Sequence, residues 1–305
     1  MLTKRIRHVS RLTILLLPAC FVMLAGCRTV PDCNSGDLQS NRVLSERSDY
    51  LVADELCEQT DPQIERGEPR PLLDGVARIV GIPSRVILWD RRIDNHNVSL
   101  TTEAVIAEYL DRNELDTVKV RVNQYAPGDE WRRLVANKRV GWGWRYTAGT
   151  LSWLQDTILP GRLFGGDHFN PFTNTIYLYS DVPAVALHEA AHAKDFARRR
   201  YKGTYAVAYT LPGVPLWHEA IASRDALAYV RAYRSPDEER EAYRILFPAY
   251  GTYVGNAAAQ VLPWNSTLVY AGAVIPGHVL GRWRARHVAE ERHELEFVPM
   301  EADAP

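Results

Sequence analysis

The residues best placed to do chemistry lie in the run Leu187-His188-Glu189-Ala190-Ala191-His192-Ala193. On an α-helix, side chains four apart share a face, so His188 and His192 point the same way and can grip one metal ion. Glu189 follows the first histidine, where its carboxylate can reach a water in an open coordination position. Two imidazoles, a vacancy for solvent and a proton acceptor are what metal-assisted hydrolysis requires.

The flanks predict the helix that must position these groups. Ser180 or Asp181 can cap its start, and Pro183 suits the first turn, where a missing N–H costs little. Val185, Leu187, Ala190, Ala191 and Ala193 fit a buried helix. Arg198, Arg199 and Arg200 bring positive charge to its C-terminal end, and Gly203 is an expected stop. The competing interpretation is a chance HExxH on an ordinary surface helix.

The stretch resembles the active-site helix of the zincin metallopeptidases, with Lys194 standing where the stricter family pattern prefers an apolar residue. The resemblance implies an α+β, zincin-like metallopeptidase fold: a small mixed sheet, the metal helix and a mainly helical C-terminal lobe. It also implies Zn2+ as cofactor, Glu189 as the catalytic base and a peptide or protein as substrate. Catalytic zinc usually has three protein ligands. The string Glu219-Ala220-Ile221-Ala222-Ser223 is similar to the EAxxS/D pattern of the gluzincin branch. That likeness implies Glu219, opening a second helix, as the third metal ligand. It further implies Ser223 or Asp225 as hydrogen-bond support for a ligand histidine. By residue type alone His218 and Asp225 stay open as ligands, and Glu219 could merely cap its helix. No HExxHxxGxxH occurs, which excludes the three-histidine metzincin plan. Tyr205, Tyr209, Arg224 and His278 are candidates to stabilise an oxyanion, and the sequence does not choose among them.

The 305 residues are 46% hydrophobic and 24% charged, with a formal net charge of -1. That is a globular composition, and no strongly basic face or tail points to a nucleic-acid partner. Lys4, Arg5, Arg7 and Arg11 precede a short apolar run, Leu12 to Leu24, and then Leu24-Ala25-Gly26-Cys27. This resembles a bacterial lipobox, so residues 1–26 read as a signal peptide and Cys27 as the lipidated residue that anchors the chain to a membrane. Arg28 after the cysteine favours, by analogy, the outer membrane, facing the periplasm. Cys33 and Cys57 are then the remaining thiols, and an oxidising compartment favours a disulfide between them.

Residues 27–70 read as a tether holding one helix around Val43 to Cys57, with a loop at Arg66–Pro71. The N-terminal lobe spans 71–202. Within it Arg85–Trp89 reads as a short buried strand, and a helix capped by Thr101 or Thr102 runs to about Arg112. Thr117–Tyr125 alternates with period two as a strand. Pro127 opens a helix with Trp131, Leu134 and Val135 inward. Residues 140–165 read as strands and turns, and Gly165–Pro171 as a loop in which His168 is a surface or supporting residue in preference to a ligand. Thr175–Tyr179 is a strand feeding the metal helix. By the zincin resemblance it forms the rim of the substrate cleft, to which a peptide adds as an extra strand.

A helical lobe occupies 203–290. Its helix over 236–260 carries Gly251 and Gly255, which admit a close helix partner. Leu268–Leu280, broken at Pro276 and Gly277, reads as buried helices in preference to a membrane-dipping hairpin. Residues 291–305 form an acidic tail. The expected function is a lipid-anchored zinc metallopeptidase of the cell envelope. The alternative is an envelope scaffold with a structural zinc site.

Overall fold

The computed structural model describes residues 63–259 and 266–296. The signal-like run, Cys27, the Cys33–Cys57 pair and the helix expected around Val43 lie outside them.

The described chain is α+β, mostly helical with one small mixed sheet. Strands β1 (Ile64–Arg66), β2 (Lys119–Val122), β3 (His168–Asn170) and β4 (Thr175–Leu178) lie in the order β1-β2-β4-β3. The first three in that order are parallel, and β3 is an antiparallel edge. The alternation read in Thr117–Tyr125 is real, and β2 is its centre. Val120, Val122, Ile176 and Leu178 join the main apolar core. Alternation puts Lys119, Arg121, Thr175 and Tyr177 on the other face. There the Arg121 side chain is almost fully buried. It donates to Glu130 at 2.5 Å and to Glu65 at 2.7 Å, and Thr175 Oγ1 donates to Glu130 at 2.8 Å. A buried guanidinium is tolerable only with partners of this kind. β1 falls inside the segment expected to be tether, so the folded body begins earlier than Leu72.

The helices are α1 (Pro71–Val80), α2 (Ile82–Leu88), α3 (Leu100–Arg112), α4 (Pro127–Ala136), α5 (Thr150–Ile158), α6 (Gly161–Phe164), α7 (Pro183–Ala197), α8 (Lys202–Ala208), α9 (Val214–Tyr233), α10 (Pro236–Ala259) and α11 (Ser266–Glu296). Arg85–Trp89 is therefore not a strand. Gly81 and Pro83 start a helix there, and Trp89 ends it in the left-handed conformation at φ 56°. Residues 140–165 are helical too: a turn at Trp142–Trp144 and a π-helical segment at Arg145–Gly149 lead into α5 and then α6. In α4, Leu134 is fully buried but Trp131 is exposed, resting against Trp153 of α5 at 4.9 Å.

Capping also differs from expectation. Ser99 caps α3, and Asp181 reinforces it by accepting from the Ser99 N–H at 2.9 Å, Ser99 Oγ at 2.7 Å and Thr102 Oγ1 at 2.7 Å. Asp181 therefore serves α3 and not α7, which starts at Pro183 with no side-chain cap. Gly203 does not stop α7; it sits inside α8, where a Cβ would meet the Trp144 ring at 2.5 Å.

Gly251 and Gly255 do admit a close partner, and that partner is α11. It is one continuous helix through Pro276 and Gly277, and it extends past residue 290 to Glu296. It runs antiparallel to α10. Cβ atoms built at Gly251, Gly255, Gly277 and Gly281 would lie 2.4–2.8 Å from the facing backbone. Gly277→Val therefore forces the pair apart. A loss of about 2 kcal/mol is expected, read as a lower thermal midpoint, and an unchanged midpoint would show that the two helices do not pack this tightly.

Candidate metal centre

α7 is buried nearly all round, from Ala184 to Phe196. This follows from its alanine-rich sequence, since small side chains let neighbours approach on every side. One of those neighbours is α9, on which Glu219 stands more than a turn inside the helix and not at its opening. The two helices bring His188, His192 and Glu219 together, all three buried. The Nε2 atoms of His188 and His192 are 3.1 Å apart. They lie 2.9 Å and 3.3 Å from Glu219 Oε2.

The outer ring nitrogens give this cluster its chemistry. His188 Nδ1 is 3.3 Å from Ser223 Oγ, and His192 Nδ1 is 2.9 Å from the Tyr209 hydroxyl. With Nδ1–H donated to those oxygens, each Nε2 turns a lone pair inward. Two lone pairs and a carboxylate oxygen then face one another at roughly the edge length of a tetrahedron with ~2.0–2.1 Å metal bonds, ~3.3 Å. A cation satisfies all three at once, so the donor set fits a metal ion. Glu219 is held well below the usual carboxylate range: burial pushes it up, but the two histidines outweigh that.

Ser223 takes the supporting position on His188, and Asp225 does not. Asp225 accepts from the Tyr109 hydroxyl at 2.6 Å and forms an ion pair with Lys194 at 2.7 Å. This gives Lys194 a role: it fastens α7 to α9 two residues beyond His192. His218 is also outside the ligand cluster. It stacks on Tyr209 at 3.7 Å, both ring nitrogens lack partners, and burial pushes its pKa down to about 4. It acts as an apolar plate that fixes the phenol.

Among the oxyanion candidates only Tyr209 reaches the cluster. Tyr205 bonds to Asp195, Arg224 is exposed, and His278 is tied to the Ile87 carbonyl at 2.7 Å and stacked on Trp89. Two neighbours were not visible in the sequence. Tyr253, on α10, lies beside Glu219, whose negative charge pushes the phenol's pKa well up. Asp167 accepts from the Tyr179 and Ser180 N–H groups at 2.6 and 3.0 Å, and burial, then Asp94, pushes its pKa up to about 6.

Glu189 is buried beside His188. Its pKa is pushed up to about 7, first by burial and then by the negative charges of Glu219 and Asp167, against the pull of His188. His168 is not a ligand: it stacks on Tyr177 at 4.6 Å at the sheet edge. No protein-family model, curated protein or solved structure matches the chain.

Because Tyr209 fixes the His192 tautomer, Tyr209→Phe is expected to weaken metal binding about tenfold. The phenyl ring keeps the stack on His218. Competition against a chromogenic chelator measures it, and unchanged affinity would remove Tyr209 from the centre.

Proposed function

We propose that the protein is a lipid-anchored, zinc-dependent hydrolase that cleaves peptide bonds in the cell envelope. The observation that carries this reading is the convergence of His188, His192 and Glu219 from two helices, with the Glu189 carboxylate alongside. Zinc held there would act as a Lewis acid on a carbonyl and lower the pKa of water. Glu189 is the general base. Burial gives it an affinity for protons near neutrality, and a cation at the cluster favours the carboxylate form that a base needs. Ser223 and Tyr209 hold the imidazoles by their outer nitrogens. β4, expected to be the rim to which a peptide adds, is paired on both sides by β2 and β3, so the sheet edge left for an extended peptide is the outer side of β3. Leu24-Ala25-Gly26-Cys27 supports attachment through Cys27.

The test is digestion of a peptide library by zinc-loaded protein, read by mass spectrometry. New termini that vanish with a chelator and return with zinc are expected. One observation favours a second reading, a structural zinc in a non-catalytic scaffold. His188, Glu189, His192 and Glu219 are all more than nine-tenths buried, with Tyr209 and Tyr253 against them. Stoichiometric zinc without any cleavage would decide for that reading.

A further inference from the structure

α1 is amphipathic in the inverted sense. Asp74 and Ala77 face the protein, while Leu72 and Ile79 are 89% and 67% exposed. Asp74 is the inward polar group and is held by Arg162 at 3.0 Å. α2 continues the surface with Val86, and Trp89 just after it is 65% exposed. Trp89 stacks on His278 of α11 at 4.0 Å, with the Arg282 guanidinium 4.4 Å over its ring. On that helix Ile275, Val279 and Trp283 are exposed at four-residue steps beside His278. This is where the expected burial of Leu268–Leu280 fails. Three helices thus carry exposed apolar side chains, and the contact of Trp89 with His278 and Arg282 ties the end of α2 to α11; clustered exposed apolar groups mark an interaction surface.

Along α1, α2 and most of α11 the charges are chiefly arginine, with Glu68 just before α1 and Glu290, Glu291, Glu294 and Glu296 closing α11. Residues 70–89 carry Arg70, Arg78 and Arg85, and their only acid is the buried Asp74. Residues 266–288 carry Arg282, Arg284 and Arg286 and no acid. The nearby Asp90 and Glu241 share the one Arg92, at 2.6 and 2.7 Å, which leaves that trio with one net negative charge. No helix among the described residues is long and apolar enough to cross a membrane. Apolar side chains, interfacial tryptophans and an arginine border are the composition of a surface that lies in a headgroup layer.

We propose that this face, built from α1, α2 and α11, docks on a bilayer of anionic phospholipid. The contact is separate from the Cys27 anchor and does not need it. The chain before Gln63, which contains the apolar run Leu12–Leu24, joins the fold at β1, from which residues 67–70 lead into α1. The contact would fix the orientation of the body on the membrane that the anchor reaches.

The experiment uses the full chain on vesicles of phosphatidylethanolamine and phosphatidylglycerol with brominated acyl chains. Bromine is expected to quench tryptophan fluorescence. Trp89→Phe combined with Trp283→Phe should abolish most of that quenching, while Trp217→Phe leaves it. Val86→Asp with Val279→Asp should abolish it as well, and phosphatidylcholine vesicles should give much less. Undiminished quenching in the double Phe variant would overturn the proposal, and equal quenching on phosphatidylcholine would overturn the anionic preference. So would Trp89 and Trp283 shielded from acrylamide without vesicles, since the acidic residues 28–62 or a second copy would then cover the face. Attachment through Cys27 alone would leave the chain on vesicles with both tryptophans unquenched, which separates failure of this contact from failure of the anchor.

Discussion

Glutamine in place of Glu189 is expected to leave one metal ion per chain and to lower peptide hydrolysis about a thousandfold. The two properties separate because Glu189 is not one of the three side chains that converge on the metal position. Glutamine has nearly the same volume and keeps a polar end in the same buried place, so α7 should stay packed. What it cannot do is accept a proton. Glu189 is suited to that task by its surroundings: burial, Glu219 and Asp167 lift its pKa to about 7. Metal content by elemental analysis and turnover on the peptides cleaved by the parent chain check the two halves. Retained turnover with full metal would remove Glu189 from the reaction. Loss of metal along with turnover would show that it supports the ligands instead.

How much of this site was legible follows from how local each relation is. His188 and His192 are one helical turn apart, so their shared face needs no knowledge of tertiary structure. Glu219 is on a second helix, and only the likeness to a family pattern suggested it. Sequence left Ser223 and Asp225 level as supports. The fold separates them through Tyr109 and Lys194, both of which engage Asp225. Tyr253 and Asp167 come from α10 and from the loop before β3, and no spacing rule connects them to the histidines.

The misread elements share a cause. A short apolar run such as Arg85–Trp89 is compatible with either a strand or a helix, and Gly81 and Pro83 just before it were the better signal. In residues 140–165 the tryptophans and threonines favour strands by propensity, yet packing sets them as helices, with Gly149 closed against Leu134 and Phe172. Propensity of that kind is a weak prior that tertiary context overrides. β1 is only three residues long. It exists because β2 offers an edge, and that is not a property of its own sequence.

Replacing Glu219 by alanine should have the opposite signature to the Glu189 change: metal and hydrolysis disappear together. Glu219 supplies the only negative charge in the cluster, and its Oε2 lies within 3.3 Å of both imidazole Nε2 atoms. Without it two neutral nitrogens 3.1 Å apart must share the ion or a proton. The stability readout is equally direct. A ligand that binds only the folded chain stabilises it by about 4 kcal/mol when present at about a thousand times its dissociation constant. Zinc should therefore raise the thermal midpoint of the parent chain and of Glu189→Gln, and leave Glu219→Ala where it was. Tyr253 sharpens the test, because it lies beside the buried Glu219 from α10. Loss of the carboxylate leaves a gap between the two helices as well, so the variant should be less stable than the metal-free parent. A zinc-induced rise that survives in Glu219→Ala would mean that the ion sits elsewhere, and the hydrolase reading would lose its centre.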